Sequence, residues 1–89
     1  MIDVLYTKTF LKKFSKLDPS LQEEVYEKVE LFKHEEYHKK LKVHKLKKPL
    51  EGRYSFSVNY KIRIIFIYDE KDRNRVYLLT IGTHNQVYR

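Results

Sequence analysis

Two side chains near the end of this sequence, His84 and Tyr88, stand four residues apart within Ile81-Gly82-Thr83-His84-Asn85-Gln86-Val87-Tyr88-Arg89. An imidazole exchanges a proton near neutral pH, which suits general acid or base work. A tyrosine can stack on a nucleobase or donate a hydrogen bond, and Gly82 permits the close approach of another chain. A lone histidine is more often incidental than catalytic, so His84 gains weight only from its partners. Arg63 is the only charge between Ile62 and Ile67. In such a run a guanidinium is either half of a structural ion pair or a clamp for a phosphate. Six of the ten residues 39–48 are lysine: Lys39, Lys40, Lys42, Lys45, Lys47 and Lys48, interrupted by Leu41, Val43, His44 and Leu46. A run of like charge is usually a solvated, self-repelling loop. Apolar residues between the lysines favour a segment pinned to the domain, which would present charge to phosphates in a fixed array, with salt-dependent binding through counterion release.

A sharper pattern argues for less. His34-Glu35-Glu36-Tyr37-His38 satisfies H-E-x-x-H, in which two histidines one helical turn apart bind zinc beside a glutamate base. It falls at a helix end between Lys33 and the Lys39-Lys40 pair, and no third protein ligand is evident. A polar helix end is the better reading, and no metal or other cofactor is expected.

The elements that must position these groups are legible in outline. Ile2–Tyr6 reads as a short strand, and Thr7 caps a helix with Phe10, Leu11, Phe14 and Leu17 at helical spacing. Asp18 and Pro19 open a second helix, whose stripe is Leu21, Val25, Val29 and Phe32. After Pro49 and Gly52 come three β-rich runs, Arg53–Val58, Lys61–Tyr68 and Arg75–Gly82. In the first, Tyr54, Phe56 and Val58 alternate with Arg53, Ser55 and Ser57, a half-buried pattern. The second is apolar on both faces save for Arg63, as a central strand covered on both sides would be. The expected fold is α+β, in the order β-α-α-β-β-β, with a helical hairpin on one face of a mainly antiparallel four-stranded sheet. The 89 residues form one domain, 1–89, with no repeat or low-complexity tract.

Composition narrows the function classes. There is no cysteine, which excludes disulfides, thiolate metal sites and a cysteine nucleophile, and with two glycines there is no phosphate-cradling loop. No apolar run is long enough to span a bilayer and no signal-like leader is seen, so a soluble cytoplasmic protein is expected. Nineteen Lys and Arg against twelve Asp and Glu leave +7, a balance that favours nucleic acid, a ribonucleoprotein surface or an acidic protein. Seven of the twelve acids lie between Asp18 and Glu36, just before the lysine segment, so one surface should be basic.

Three segments together resemble the RelE/ParE superfamily of toxins from toxin–antitoxin systems: His44-Lys45-Leu46-Lys47, Tyr60-Lys61-Ile62-Arg63-Ile64-Ile65-Phe66, and Ile81-Gly82-Thr83-His84-Asn85-Gln86-Val87-Tyr88. Gly-Thr-His followed by an aromatic four residues after the histidine is most similar to the YafQ branch. The resemblance spans nearly the whole chain and implies a RelE-like fold, a cognate antitoxin, and cleavage of mRNA on the ribosome. It implies that His84 is the catalytic histidine, Tyr88 the C-terminal aromatic, and Arg63 the arginine at the scissile phosphate. Lys45 and Lys47 resemble the basic pair before the second strand of RelE. Lys48 stands where YafQ-like toxins have a histidine, which leaves the acid/base partner of His84 open.

The chemistry such a site must do is general. Attack by the ribose 2′-hydroxyl on its own phosphate needs a base, cations for the phosphorane-like transition state, and an acid for the departing 5′-oxygen. His84 suits the acid, and Arg63 the phosphate, where losing one transition-state donor costs ~3–4 kcal/mol. Lys47 or Lys48, if neutral, suits the base because crowded like charges disfavour protonation, with Glu51 a weaker candidate. Lys39, Lys40, Lys42, Lys45 and Arg53 are the candidates for holding the RNA backbone. Two alternatives share the fold: a ParE-type gyrase inhibitor without nuclease activity, and a decayed toxin that keeps only its antitoxin-binding surface.

Overall fold

The computed structural model describes residues 1–88. Strand β1 (Asp3–Tyr6) leads to helices α1 (Lys8–Ser15) and α2 (Pro19–Phe32), and a 3₁₀ turn covers Glu35–Tyr37. Strands β2 (His44–Lys45), β3 (Tyr54–Ser57), β4 (Ile62–Tyr68) and β5 (Arg75–Thr83) follow, and α3 (His84–Val87) ends the fold. Both long helices begin where capping chemistry dictates. The Thr7 hydroxyl accepts the Phe10 N–H at 3.2 Å and itself donates to the Leu78 carbonyl at 2.8 Å, tying α1 to β5. Asp18 accepts the Leu21 N–H at 2.9 Å, with Pro19 at the first helical position, where no hydrogen bond is lost.

The sheet runs in the order β1-β5-β4-β3-β2, with β1 parallel to β5 and every other pair antiparallel. Alternation along the strands, reset in β5 by a bulge that leaves Leu79 without a partner on β4, sends Phe56, Ile64, Phe66, Leu78 and Ile81 to the helix side, where they form the core with Phe10, Val25, Val29 and Phe32. Phe32 stacks on Phe56 at 4.4 Å and meets Phe66 edge-on at 4.9 Å. Such pairs add ~0.5–1.5 kcal/mol beyond their buried area.

The α+β class and the helices on one sheet face match expectation, but the strand count is five rather than four. The fifth strand is β2, in the lysine segment: His44 pairs with Ser55, and Lys45 with Tyr54. Two residues are too few to express a period-2 pattern, so composition alone reads this stretch as loop. The expected element order also lacked α3. Four residues carry no helical periodicity, although Thr83 and Gln86 form the capping box that starts α3. This helix packs over the second face of the sheet, where Ser55, Ile65 and Val87 are buried outside the main core. It is what covers β4 from the other side.

Candidate functional site

The site is built by the turn from β5 into α3. A methyl group at Gly82 would lie 2.8 Å from Gln86 Oε1 and 3.2 Å from Val87 Cγ1. The chain that approaches Gly82 is therefore its own α3, not a second molecule. Within the capping box the Thr83 hydroxyl accepts the Gln86 N–H at 3.3 Å, and Gln86 Oε1 accepts the Thr83 N–H at 2.9 Å. This cap sets His84 at the first helical position with Tyr88 one turn on, and their rings meet edge to face at 4.3 Å. The Tyr88 hydroxyl donates to Ser55 Oγ at 2.7 Å, so the tyrosine is held at both ends.

A cleft of about 320 Å³ opens between α3 and the lysine segment, lined by residues 44–50 together with His84 and Tyr88. That volume is within the ~300–1,000 Å³ typical of small-ligand sites. The structure thus brings together His84, Tyr88, Lys45, Lys47 and Lys48. The three lysines stand exposed at its rim, and among the described residues no carboxylate lines it. Glu51 instead lines an adjoining depression with Arg53 and Lys45.

Arg63 is not among the cleft residues. It lies opposite Gly82 in the β4–β5 ladder, two residues from Ile65 and hence on the α3 side of the sheet. Its Nη1 turns to the β3–β4 turn and donates to the carbonyls of Asn59 and Ile62. There it lines a separate groove with Lys28, Lys40, Lys42 and Tyr60. Lys39 is exposed and lines neither of these grooves. The cations expected to hold RNA are therefore spread over neighbouring surfaces.

Two residues of the site escape sequence reasoning. His44 reads as an interruption among lysines, yet its Nδ1 lies 2.8 Å from the Lys42 carbonyl and its Nε2 lies 3.4 Å from Ser55 Oγ. Ser55 reads as the wet side of an alternating strand, yet it is fully buried beneath Tyr88. Its signal would have been a helix after β5, which four residues do not announce.

The H-E-x-x-H segment has no zinc-binding geometry. Helix α2 stops at Phe32, and the segment continues as a 3₁₀ turn rather than one α-helical face. His38 is committed to structure: its Nε2 lies 2.7 Å from the Phe32 carbonyl and its ring stacks on Phe32 at 4.7 Å. Among the described residues no three His, Cys, Asp or Glu side chains gather to hold a metal ion.

A helical pair on one face of a β1-β5-β4-β3-β2 sheet, with a basic cleft beside α3, is the arrangement this chain shares with solved structures of RelE- and ParE-type toxins. Solved structures carry the same fold. The archaeal RelE–RelB complex from Pyrococcus horikoshii OT3 superposes with a TM-score of 0.72 at 19% identity, covering 97% of this chain and 98% of that one. The RelBE2 toxin–antitoxin complex from Mycobacterium tuberculosis gives 0.70 at 21% identity over 93% and 98% of the two chains. The YoeB/ParE toxin from Agrobacterium tumefaciens gives 0.64 at 13% identity over 93% and 99%. No family model matches the chain, and no curated protein matches it in sequence.

Proposed function

We propose that this protein is the toxin of a type II toxin–antitoxin pair, a ribosome-dependent endoribonuclease that cuts mRNA by attack of the ribose 2′-hydroxyl. The observation that carries this reading is a cleft in which two imidazoles, a tyrosine and three lysines meet. His84 protonates the departing 5′-oxygen, a contribution of ~10²–10⁴-fold. Lys47 and Lys48 stabilise the charge that builds on the phosphate. Tyr88 buttresses His84 through their ring contact and offers an edge for a base. Lys45, Arg53 and the Lys40–Lys42 surface follow the RNA backbone, and docking in the ribosome supplies orientation.

The antitoxin follows from the same reading. A shallow apolar groove of about 200 Å³ runs between α1 and α2, lined by Tyr6, Phe10, Leu11, Phe14, Val25, Tyr26 and Val29. Leu11 and Tyr26 are 49% and 64% exposed. An antitoxin that buries this groove and answers the basic surface with acidic residues would stabilise the toxin by mass action. No helix among the described residues is long and apolar enough to cross a membrane.

One observation favours a second reading, the gyrase inhibitor: the Arg63 guanidinium is spent on backbone carbonyls instead of facing the cleft. The two readings separate in a paired assay. Purified protein is added to ribosomes translating a defined mRNA, with ends mapped by primer extension, and to gyrase acting on relaxed plasmid. New ends that vanish with His84→Ala, and undisturbed supercoiling, are the expected result. Intact transcript together with blocked supercoiling would reverse the assignment.

A further inference from the structure

We propose that His44 is the base of the cleavage step, the imidazole partner of His84; this rests on the nuclease reading above. His44 and His84 line the same cleft, and the environment of His44 fixes which nitrogen can work. A backbone carbonyl only accepts, so at 2.8 Å from the Lys42 oxygen Nδ1 carries the proton. Nε2 therefore presents its lone pair. The residue that supplies the carbonyl is itself constrained: Lys42 has φ 59°, a left-handed conformation that non-glycine residues seldom adopt. Strained backbone of this kind clusters at functional sites.

Behind Nε2 lies a second set of contacts. Ser55 Oγ receives the Tyr88 proton at 2.7 Å, which leaves its own hydroxyl hydrogen to turn toward Nε2 at 3.4 Å. A hydroxyl bond to nitrogen is ordinarily shorter, so this contact is loose, and the proposed step requires the 2′-hydroxyl to replace it at Nε2. Ser55 positions the imidazole, and His44 meets the substrate. Lining the cleft with His44 are Lys45, Lys47 and Lys48 from its own segment, His84 of α3 and Tyr88 just after it, and Ser55 of β3 lies at Nε2. Among these described residues none is a carboxylate, and the exposed ammonium groups serve the phosphate by their charge. Among the described residues of the lysine segment that line the cleft, His44 is the one with a nitrogen lone pair free of an ammonium charge.

The step balances with these two residues. The 2′-hydroxyl proton passes to His44 Nε2 as O2′ bonds to phosphorus. The P–O5′ bond breaks, and the 5′-oxygen takes a proton from the His84 imidazolium. The products are a 2′,3′-cyclic phosphate and a 5′-hydroxyl. His44 then returns its proton to water and His84 regains one.

The test is single-turnover cleavage of a defined mRNA on ribosomes across pH, for wild type, His44→Gln, His44→Ala and Ser55→Ala. Thermal melting verifies the fold of each variant. His44→Gln and His44→Ala should lose about 10²–10⁴-fold in rate and the limb of the pH profile that rises as an imidazole deprotonates. Added imidazole should restore part of the His44→Ala rate. Ser55→Ala should keep that limb at a rate lowered by about tenfold. A His44→Gln protein that cuts at the wild-type rate with the wild-type limb overturns the assignment while His84 and the nuclease reading stand. A wild-type protein that leaves mRNA intact overturns both.

Discussion

Gly82→Ala tests whether the close seating of α3 on β5 is what aligns the site. The added methyl would lie 2.8 Å from Gln86 Oε1 and 3.2 Å from both Gln86 Cβ and Val87 Cγ1. Ordinary contacts between carbon atoms lie near ~3.5–4.0 Å, so α3 must retreat by ~0.5–1 Å. Gln86 cannot swing aside freely, because its Oε1 accepts the Thr83 N–H and completes the cap that places His84. Overpacking of this size costs ~1–3 kcal/mol, and each kcal/mol lowers Tm by ~4–8 °C in a domain of this length. A misplacement of ~1 Å at a reacting group costs up to ~10²-fold in rate. The prediction is a protein that still melts cooperatively yet cleaves ~10–10²-fold more slowly, read by single-turnover cleavage beside a melting curve. Adding Val87→Ala removes one of the blocking atoms and should recover part of the rate, a coupling expected of neighbours in contact. A Gly82→Ala protein that cleaves as fast as wild type would show that α3 does not set the geometry of the site.

Three further outcomes follow from other parts of the molecule. Thr80 Oγ1 is buried without a hydrogen-bond partner among the described residues, so Thr80→Val should stabilise the fold by ~1–3 kcal/mol, seen as a higher Tm. Lys42→Gly relieves the left-handed backbone and should add ~1 kcal/mol of stability; by removing one proposed phosphate contact it should also flatten the slope of log affinity against log salt on single-stranded RNA by ~0.7. The Asp69 carboxyl is held below its ordinary pKa, chiefly by the Tyr77 hydroxyl, which donates to it at 2.7 Å, and then by the Lys71 N–H. A depressed carboxyl contributes stability that is complete above its unfolded value, ~3.9, and is lost as pH falls through the lower folded value. Tyr77→Phe should therefore reduce Tm at pH 6 and lose that deficit as the pH is taken below ~4.

Sequence patterning made the helical half of this fold plain because its signals are local and strong. Thr7 and Asp18 cap the helices they were expected to cap, and Phe32 and Val29 fall on the expected buried stripe. The double-sided burial of β4 was visible in Ile64, Ile65 and Phe66, but not what covers its second face. That cover is α3, one helical turn whose packing depends on a single missing side chain at Gly82. Once α3 folds back, Ser55 changes from a surface serine to a buried one, and His44 from a spacer among lysines to a cleft residue. The proximity of His84 to the lysine segment follows from tertiary structure alone, since β3, β4 and β5 intervene in the chain. The turning of Arg63 onto the Asn59 carbonyl is equally invisible to residue spacing, which registers only a charge in an apolar run.

The proposed proton transfer between a ribose hydroxyl, a phosphate and the groups of the α3 cleft leaves a signature at the cut ends. The decisive measurement is mass spectrometry of transcript fragments recovered from ribosomes incubated with the purified protein. Fragments ending in a 2′,3′-cyclic or 3′-phosphate, matched by 5′-hydroxyl ends and absent with His84→Ala, are the predicted result. Uncut transcript, or fragments bearing 5′-phosphates, would contradict it.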